Sequence, residues 1–261
     1  MMYNKLSYLN EKRKVMNYKI VIEYEGTRYN GWQRQASTPN TIQGIIENAI
    51  KSVTGETVEI NGSGRTDAGT HALGQVANFK LKNECSDIMD RLNDELPSDI
   101  RILSCEEVND RFHARLNATG KTYCYKIDIG RKANVFTRRT VNHFNYNLDI
   151  NLMKKAADLL TGTHDFKSFC SNKRIKKSTV RTIYSINIEE RDTEITFTYK
   201  GDGFLYNMVR ILTGTLIEVG MGKININDIN KIIEAKDRSR AGMTMPPRGL
   251  TLVNVEYQEV N

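Results

Sequence analysis

Residues 61–71 read Asn61-Gly62-Ser63-Gly64-Arg65-Thr66-Asp67-Ala68-Gly69-Thr70-His71. Glycines at 62, 64 and 69 flank a compact charged core, and the stretch lies between two segments that read as strands, 57–62 and 75–81. The stretch lacks the Gly-Lys-Ser/Thr ending of a P-loop, and no amphipathic helix follows it, so neither a P-loop nor a dinucleotide fingerprint fits. What remains is a strand-to-strand connection. Within it, Asp67 either bonds backbone amides of its own turn or takes part in chemistry. Arg65, two residues earlier, is a cation able to hold a phosphate or a carboxylate.

Upstream, residues 18–24 are short, β-branched and aromatic, a strand ended by Glu25 and Gly26. Ile42, Ile45, Ile46, Ala49, Ile50 and Val53 recur at helical spacing, with Asn40 or Thr41 as cap and Gly55 as stop. Downstream, Ala77, Phe79 and Leu81 alternate with polar neighbours. Ser86 is placed to cap a helix carrying Ile88, Met89 and Leu92, closed by Pro97, and residues 100–108 supply a further strand. The order is strand, helix, strand, strand, helix, strand, the ferredoxin-like split βαβ arrangement.

The second half repeats it. Tyr123, Tyr125, Ile127 and Ile129 alternate in a strand, and Asp149 caps a helix with Met153, Ala156, Ala157 and Leu160 on one face, stopped by Gly162. Val180, Thr182, Tyr184, Ile186 and Ile188 alternate, as do Ile195, Phe197 and Tyr199 in the expected hairpin partner. A helix over 204–219, a short one near 228–235 and a last strand at 250–257 follow. The fold expected is α+β, with two ferredoxin-like βαββαβ halves, an extended mixed or antiparallel sheet and a central cleft. The halves divide as 17–112 and 113–261, behind a loosely ordered extension, 1–16, in which Met16 offers an alternative start.

The 261 residues suffice to bury a sizeable core, and 39% hydrophobic with 26% charged residues is the balance of a globular chain. No apolar run approaches the roughly 18 residues of a membrane span, and the polar start lacks the apolar stretch of a signal peptide. Lys and Arg outnumber Asp and Glu by 38 to 31, which permits nucleic-acid binding through a local basic patch. Cys85, Cys105, Cys124 and Cys170 lie far apart, as do His71, His113, His143 and His164, so zinc-ligand spacing is absent. The cysteines read as small buried hydrophobes in a reducing compartment. No metal is expected.

Several segments together resemble one family. Gly64-Arg65-Thr66-Asp67-Ala68-Gly69 with His71 and Gly74-Gln75-Val76 is similar to the catalytic motif of the tRNA pseudouridine synthase A (TruA) family. Residues 24–35, Phe112-His113-Ala114-Arg115 followed by Lys121-Thr122-Tyr123-Cys124-Tyr125, residues 164–169, residues 203–210 and Gly249-Leu250 match in the same order. The resemblance spans about residues 17–257. It implies a cofactor-free homodimer, cytoplasmic, that isomerises uridine to pseudouridine in the anticodon stem-loop of tRNA.

By that resemblance Asp67 is the catalytic nucleophile, a role that suits a carboxylate able to attack the base or the sugar and later leave. Arg210 pairs with it, favouring its charged form, and Tyr123 stacks on the uracil. Arg65 fills the space left by the flipped nucleotide. Arg115 and Arg131 touch RNA, and Lys173, Arg174, Lys176 and Lys177, near Arg181, align with an RNA-contacting loop. Tyr125 is expected to be a core aromatic on the face of Tyr123. Two departures stand out: Thr70 replaces the family's valine, and residues 243–248 differ from its alanine-rich approach to the last strand. Competing readings are a non-catalytic RNA-binding homologue, a synthase acting on another RNA, and an Asp-dependent nucleoside hydrolase, which would need a second carboxylate absent from the Asp67 motif.

Overall fold

The protein is described here by a computed structural model covering residues 15–172 and 174–258. The first half contains β1 (Met16–Tyr24), α1 (Ile42–Thr54), β2 (Asn61–Gly62), β3 (His71–Leu81), α2 (Ile88–Glu95) and β4 (Ile100–Val108). The second contains β5 (Ala118–Asp128), β6 (Asn142–His143), α3 (Ile150–Leu160), β7 (Gly162–Asp165), β8 (Val180–Arg191) and β9 (Glu194–Gly201). It ends with α4 (Met208–Gly220), α5 (Ile229–Ala235) and β10 (Leu250–Tyr257). All the strands join one sheet, ordered β4-β1-β3-β10-β5-β9-β8-β7, with β2 on β3 and β6 on β5. Each half has the split βαβ order, and β10 is the seam between them. It runs parallel to β3 through Thr251 and Leu252 and antiparallel to β5 along its whole length.

Alternation explains the burial. Ile20 and Ile22 of β1, Ala77 and Phe79 of β3, Tyr125 and Ile127 of β5, and Phe197 and Tyr199 of β9 are fully buried. The helices lay their apolar faces on them. Thr41 caps α1 by accepting the Gly44 N–H, Gly55 ends it at φ 74°, and Asp149 caps α3 by accepting the Leu152 N–H. Among the described residues no helix is long and apolar enough to cross a membrane.

The structure corrects several local expectations. Met16 opens β1, pairing with Leu81, so the first half begins one residue before 17; residues 1–14 lie outside the description. Only Asn61 and Gly62 of the 57–62 segment join the sheet, because the Ile60 N–H bonds the Glu47 carboxylate of α1 instead (3.1 Å). The cap of α2 is Asp87 rather than Ser86, in a left-handed conformation (φ 54°) that an aspartate tolerates. Helix α4 starts at Met208, not 204, since Asn207 turns the chain at φ 62°. Strand β8 contains a bulge between Ile183 and Ser185, which puts Ile183 in the core and leaves Tyr184 outside, breaking the even alternation. Only Cys170 among the cysteines is buried; the other three are intermediate, and all four are free.

Candidate active site

The loop from β2 to β3 carries Asp67 and rests on the segment that follows β1. Tyr24 and Thr66 share a hydroxyl hydrogen bond of 2.8 Å, and the Trp32 N–H donates to the Thr66 carbonyl at 3.0 Å. The approach is too close for side chains. A Cβ at Gly26 would lie 1.9 Å from the Thr70 carbonyl, and one at Gly31, where φ is 87°, would lie 2.7 Å from that of Thr66. A Thr70 N–H bond to the Asp67 carbonyl (3.1 Å) closes the turn. From the other side, Gln75 accepts from Ser63 Oγ (2.6 Å) and donates to the Gly64 carbonyl (3.1 Å).

His71 locks the loop's exit. Its Nδ1 accepts the Gly26 N–H (3.0 Å), so Nε2 carries the proton and donates to the Arg248 carbonyl (3.0 Å). Burial lowers its pKa, with Glu25 opposing. Although Glu25 stands 3.5 Å from Nδ1, that nitrogen has no proton to offer, and the contact is not an ion pair. The imidazole is a neutral clamp.

Asp67 meets Arg210, the third residue of α4, across the two halves: Nη1 donates to Oδ2 at 3.1 Å. The same guanidinium donates to Asn207 Oδ1 (2.8 Å) and, through Nε, to the Met245 carbonyl (2.6 Å), which aims it. Burial raises the Asp67 pKa above its ordinary value, and the charge and hydrogen bond of Arg210 only partly offset that. The side chains keep 25% and 15% of their exposure, so the pair is partly wet, and breaking it costs less than the roughly 3–5 kcal/mol of a fully buried pair.

Tyr123 lies beside them on β5. Its ring packs edge-on against Phe204 (centroids 5.2 Å apart, planes at 82°), and burial, then Tyr24 and Asp67, push its pKa up. The phenol stays protonated at neutral pH. Its hydroxyl has no hydrogen-bond partner among the described residues, whereas that of the fully buried Tyr125 donates to the Pro246 carbonyl (2.8 Å). An accessible hydroxyl without a protein partner, at the tip of a largely buried ring and beside a carboxylate, is suited to a ligand's polar edge.

The structure therefore brings Asp67, Tyr123 and Arg210 together. Arg65 is exposed two residues from Asp67, and Arg115 is exposed on the turn before β5, neither side chain bonded to any described residue. Arg131 is exposed on the 129–141 connection, whose Arg139, eight residues further on, approaches Glu25 at 3.5 Å. Arg174, Lys176 and Lys177 are exposed, and Lys173 lies outside the described residues. The base of this basic loop is tied to the site: the Ser171 N–H donates to the Tyr206 carbonyl (3.1 Å), and Asn207 Nδ2 donates to Ser171 Oγ (3.0 Å).

Asn207, Gln75, Tyr24 and Lys121 escaped the sequence reading as site residues. Asn207 had a signal, its helical offset of three from Arg210. So did Lys121, two residues before Tyr123 and therefore on the same strand face. Residues 245–248 serve through backbone: the carbonyls of Met245, Pro246 and Arg248 receive Arg210, Tyr125 and His71. Carbonyls do not depend on side-chain identity, which is why the unusual composition there leaves the wall intact.

A family profile described as tRNA pseudouridine synthase matches residues 20–117 and 156–258. The chain is 46% identical over 243 residues to a tRNA pseudouridine synthase A 2 of Bacillus cereus, covering 92% of this chain and 99% of that one. It is 47% identical over 245 residues to tRNA pseudouridine synthase A of Acetivibrio thermocellus, again covering 92% and 99%. With tRNA pseudouridine synthase A of a Thermoanaerobacter species the identity is 46% over 244 residues, with the same coverage. The chain belongs to the tRNA pseudouridine synthase family.

Proposed function

We propose that this protein isomerises uridine to pseudouridine in the anticodon stem-loop of tRNA, with Asp67 as nucleophile. The observation that carries the reading is the Asp67 carboxylate held 3.1 Å from Arg210, beside the unpartnered hydroxyl of Tyr123. Isomerisation requires the N-glycosidic bond to break, the uracil to turn, and the sugar to rejoin through C5. A carboxylate does this by adding to the base or the sugar and then leaving. Arg210 favours the ionised form of Asp67 against the effect of burial, and the Tyr123 ring and hydroxyl hold the detached base and assist proton movement.

A uridine stacked in a stem must leave the stack, at a cost of a few kcal/mol. Arg65, exposed and unbonded beside Asp67, fills the vacated space. Arg115, Arg131, Arg174, Lys176 and Lys177 contact phosphates, which position a folded stem-loop by shape rather than by sequence. The protein works without metal or nucleotide, as a cytoplasmic homodimer; sedimentation of the purified protein tests the dimer.

Release of tritium from C5 of labelled uridine in tRNA is the decisive assay, since a binding protein or a nucleoside hydrolase would not exchange that hydrogen. Release without added cofactor is expected. Binding of tRNA with no release would refute the reading.

A further inference from the structure

Lys121 is a partly buried cation whose ammonium donates to the Ser63 carbonyl at 2.8 Å, at the start of the loop that carries Asp67. A Cβ on Gly64 would lie 2.8 Å from the same nitrogen, so the loop backbone rests directly on it. Lys121 and Tyr123 pair with Gly201 and Tyr199 of β9, which puts them on one face of β5, about 7 Å apart along the strand.

Two arginines stand near this lysine. Arg115 lies on the turn just before β5, and Arg181 lies on β8 two residues before Ile183, which pairs with the same Gly201 that pairs with Lys121; both act on its charge. No described carboxylate pairs with any of the three. Arg115 has no bonded partner, and Arg181 donates only to the carbonyls of Ser178 (3.0 Å) and Val180 (2.6 Å). The nearby acids are engaged elsewhere. Glu256 of β10 pairs with Lys200 of β9 (2.7 Å), Asp202 accepts the Thr182 N–H (3.0 Å), and Asp67 holds Arg210. Burial, and then the two arginines, bring the Lys121 pKa down to about 8. Like charges gathered around a half-dry ammonium are stabilised when an anion joins them.

We propose that Arg115, Lys121 and Arg181 form a seat for a backbone phosphate of the RNA beside the target uridine, and that Lys121 passes the arrival of that phosphate to the Asp67 loop through the Ser63 carbonyl. The inference rests on the RNA-substrate reading and deepens it. A phosphate in the seat favours the charged lysine, so RNA binding takes up a proton wherever free Lys121 is partly neutral.

The test is the affinity of Asp67→Asn protein, which does not turn over, for an unmodified tRNA transcript between pH 7.0 and 8.8, with the same titration of the Lys121→Met variant correcting for the uridine and guanosine N–H groups, which begin to ionise at the upper end. With Lys121 in place, the Kd is expected to weaken about sixfold across that interval, as a lysine titrating near 8 dictates. Adding Lys121→Met should remove that pH dependence, weaken binding at pH 7.0 roughly tenfold and reduce the log–log salt slope by about one. Arg115→Gln, an exposed change that leaves the core untouched, should reduce the salt slope likewise and move the pH limb upward, because one like charge is gone. Unchanged pH and salt profiles in either variant would overturn the seat. Absence of tritium release from the wild-type protein would remove the isomerase reading while leaving this binding linkage standing, so the two failures are distinct.

Discussion

At Asp67 two effects oppose one another, and their balance sets both stability and rate. Burial raises its pKa more than Arg210 lowers it. The folded state therefore binds the Asp67 proton more tightly than the unfolded chain does: this group's stabilising contribution is present below the unfolded pKa and is lost as pH rises through the folded one. At pH 7 an ionised Asp67 is a net cost, so Asp67→Asn is expected to melt at the same temperature as wild type or higher. The acid limb of activity should lie above the ordinary carboxylate range, and Arg210→Gln should move it further up, because the lowering charge is removed; rates of tritium release between pH 4.5 and 8 read both limbs. Thr70 presents a different imbalance. Its hydroxyl is buried with no hydrogen-bond partner among the described residues. Thr70→Val, which removes the unpartnered hydroxyl at similar volume, should stabilise the fold by about 1–2 kcal/mol in urea unfolding without lowering activity.

Among the elements, the Asp67 loop owes its shape to the segment after β1. Gly31→Ala places a methyl against the Thr66 carbonyl at a left-handed position, and the loop must shift. Activity should fall by one to two orders of magnitude while far-ultraviolet circular dichroism stays unchanged; an active variant would show that the loop tolerates displacement. This dependence also explains what was legible beforehand. The strand-turn-strand character of 61–71, the helices at 42–54 and 150–160 and the alternation of β5 and β9 follow from local periodicity. The β8 bulge, the start of α4 at Met208 and the short β2 do not, because each is decided by a tertiary partner: core space for Ile183, Arg210 and Ser171 for Asn207, Glu47 for Ile60. Asp67 and Arg210 were legible only through the family resemblance, since 143 positions separate them.

For the whole molecule, the seam is the informative feature. The two halves meet in the sheet where Thr251 and Leu252 of β10 pair with His71 and Ala72, immediately after the Asp67 loop. No local pattern indicates that the last strand runs between the halves. Leu252 is fully buried and faces Tyr123 in the register with β5. Leu252→Ala should cost about 2–5 kcal/mol by urea unfolding, and it should lower activity at temperatures where wild type is still fully folded. The excess of 38 basic over 31 acidic residues acts at the same scale, so tRNA affinity should fall steeply with salt.

An ionised carboxylate at residue 67, not the RNA-binding surface alone, performs the proposed isomerisation. Single-turnover tritium release by Asp67→Asn, measured alongside its affinity for the same tRNA, separates the two. The expected rate is at least about 10⁴-fold lower than wild type, with affinity unchanged within a few-fold. Near-wild-type release, or loss of release that only follows loss of binding, would take the chemistry away from Asp67.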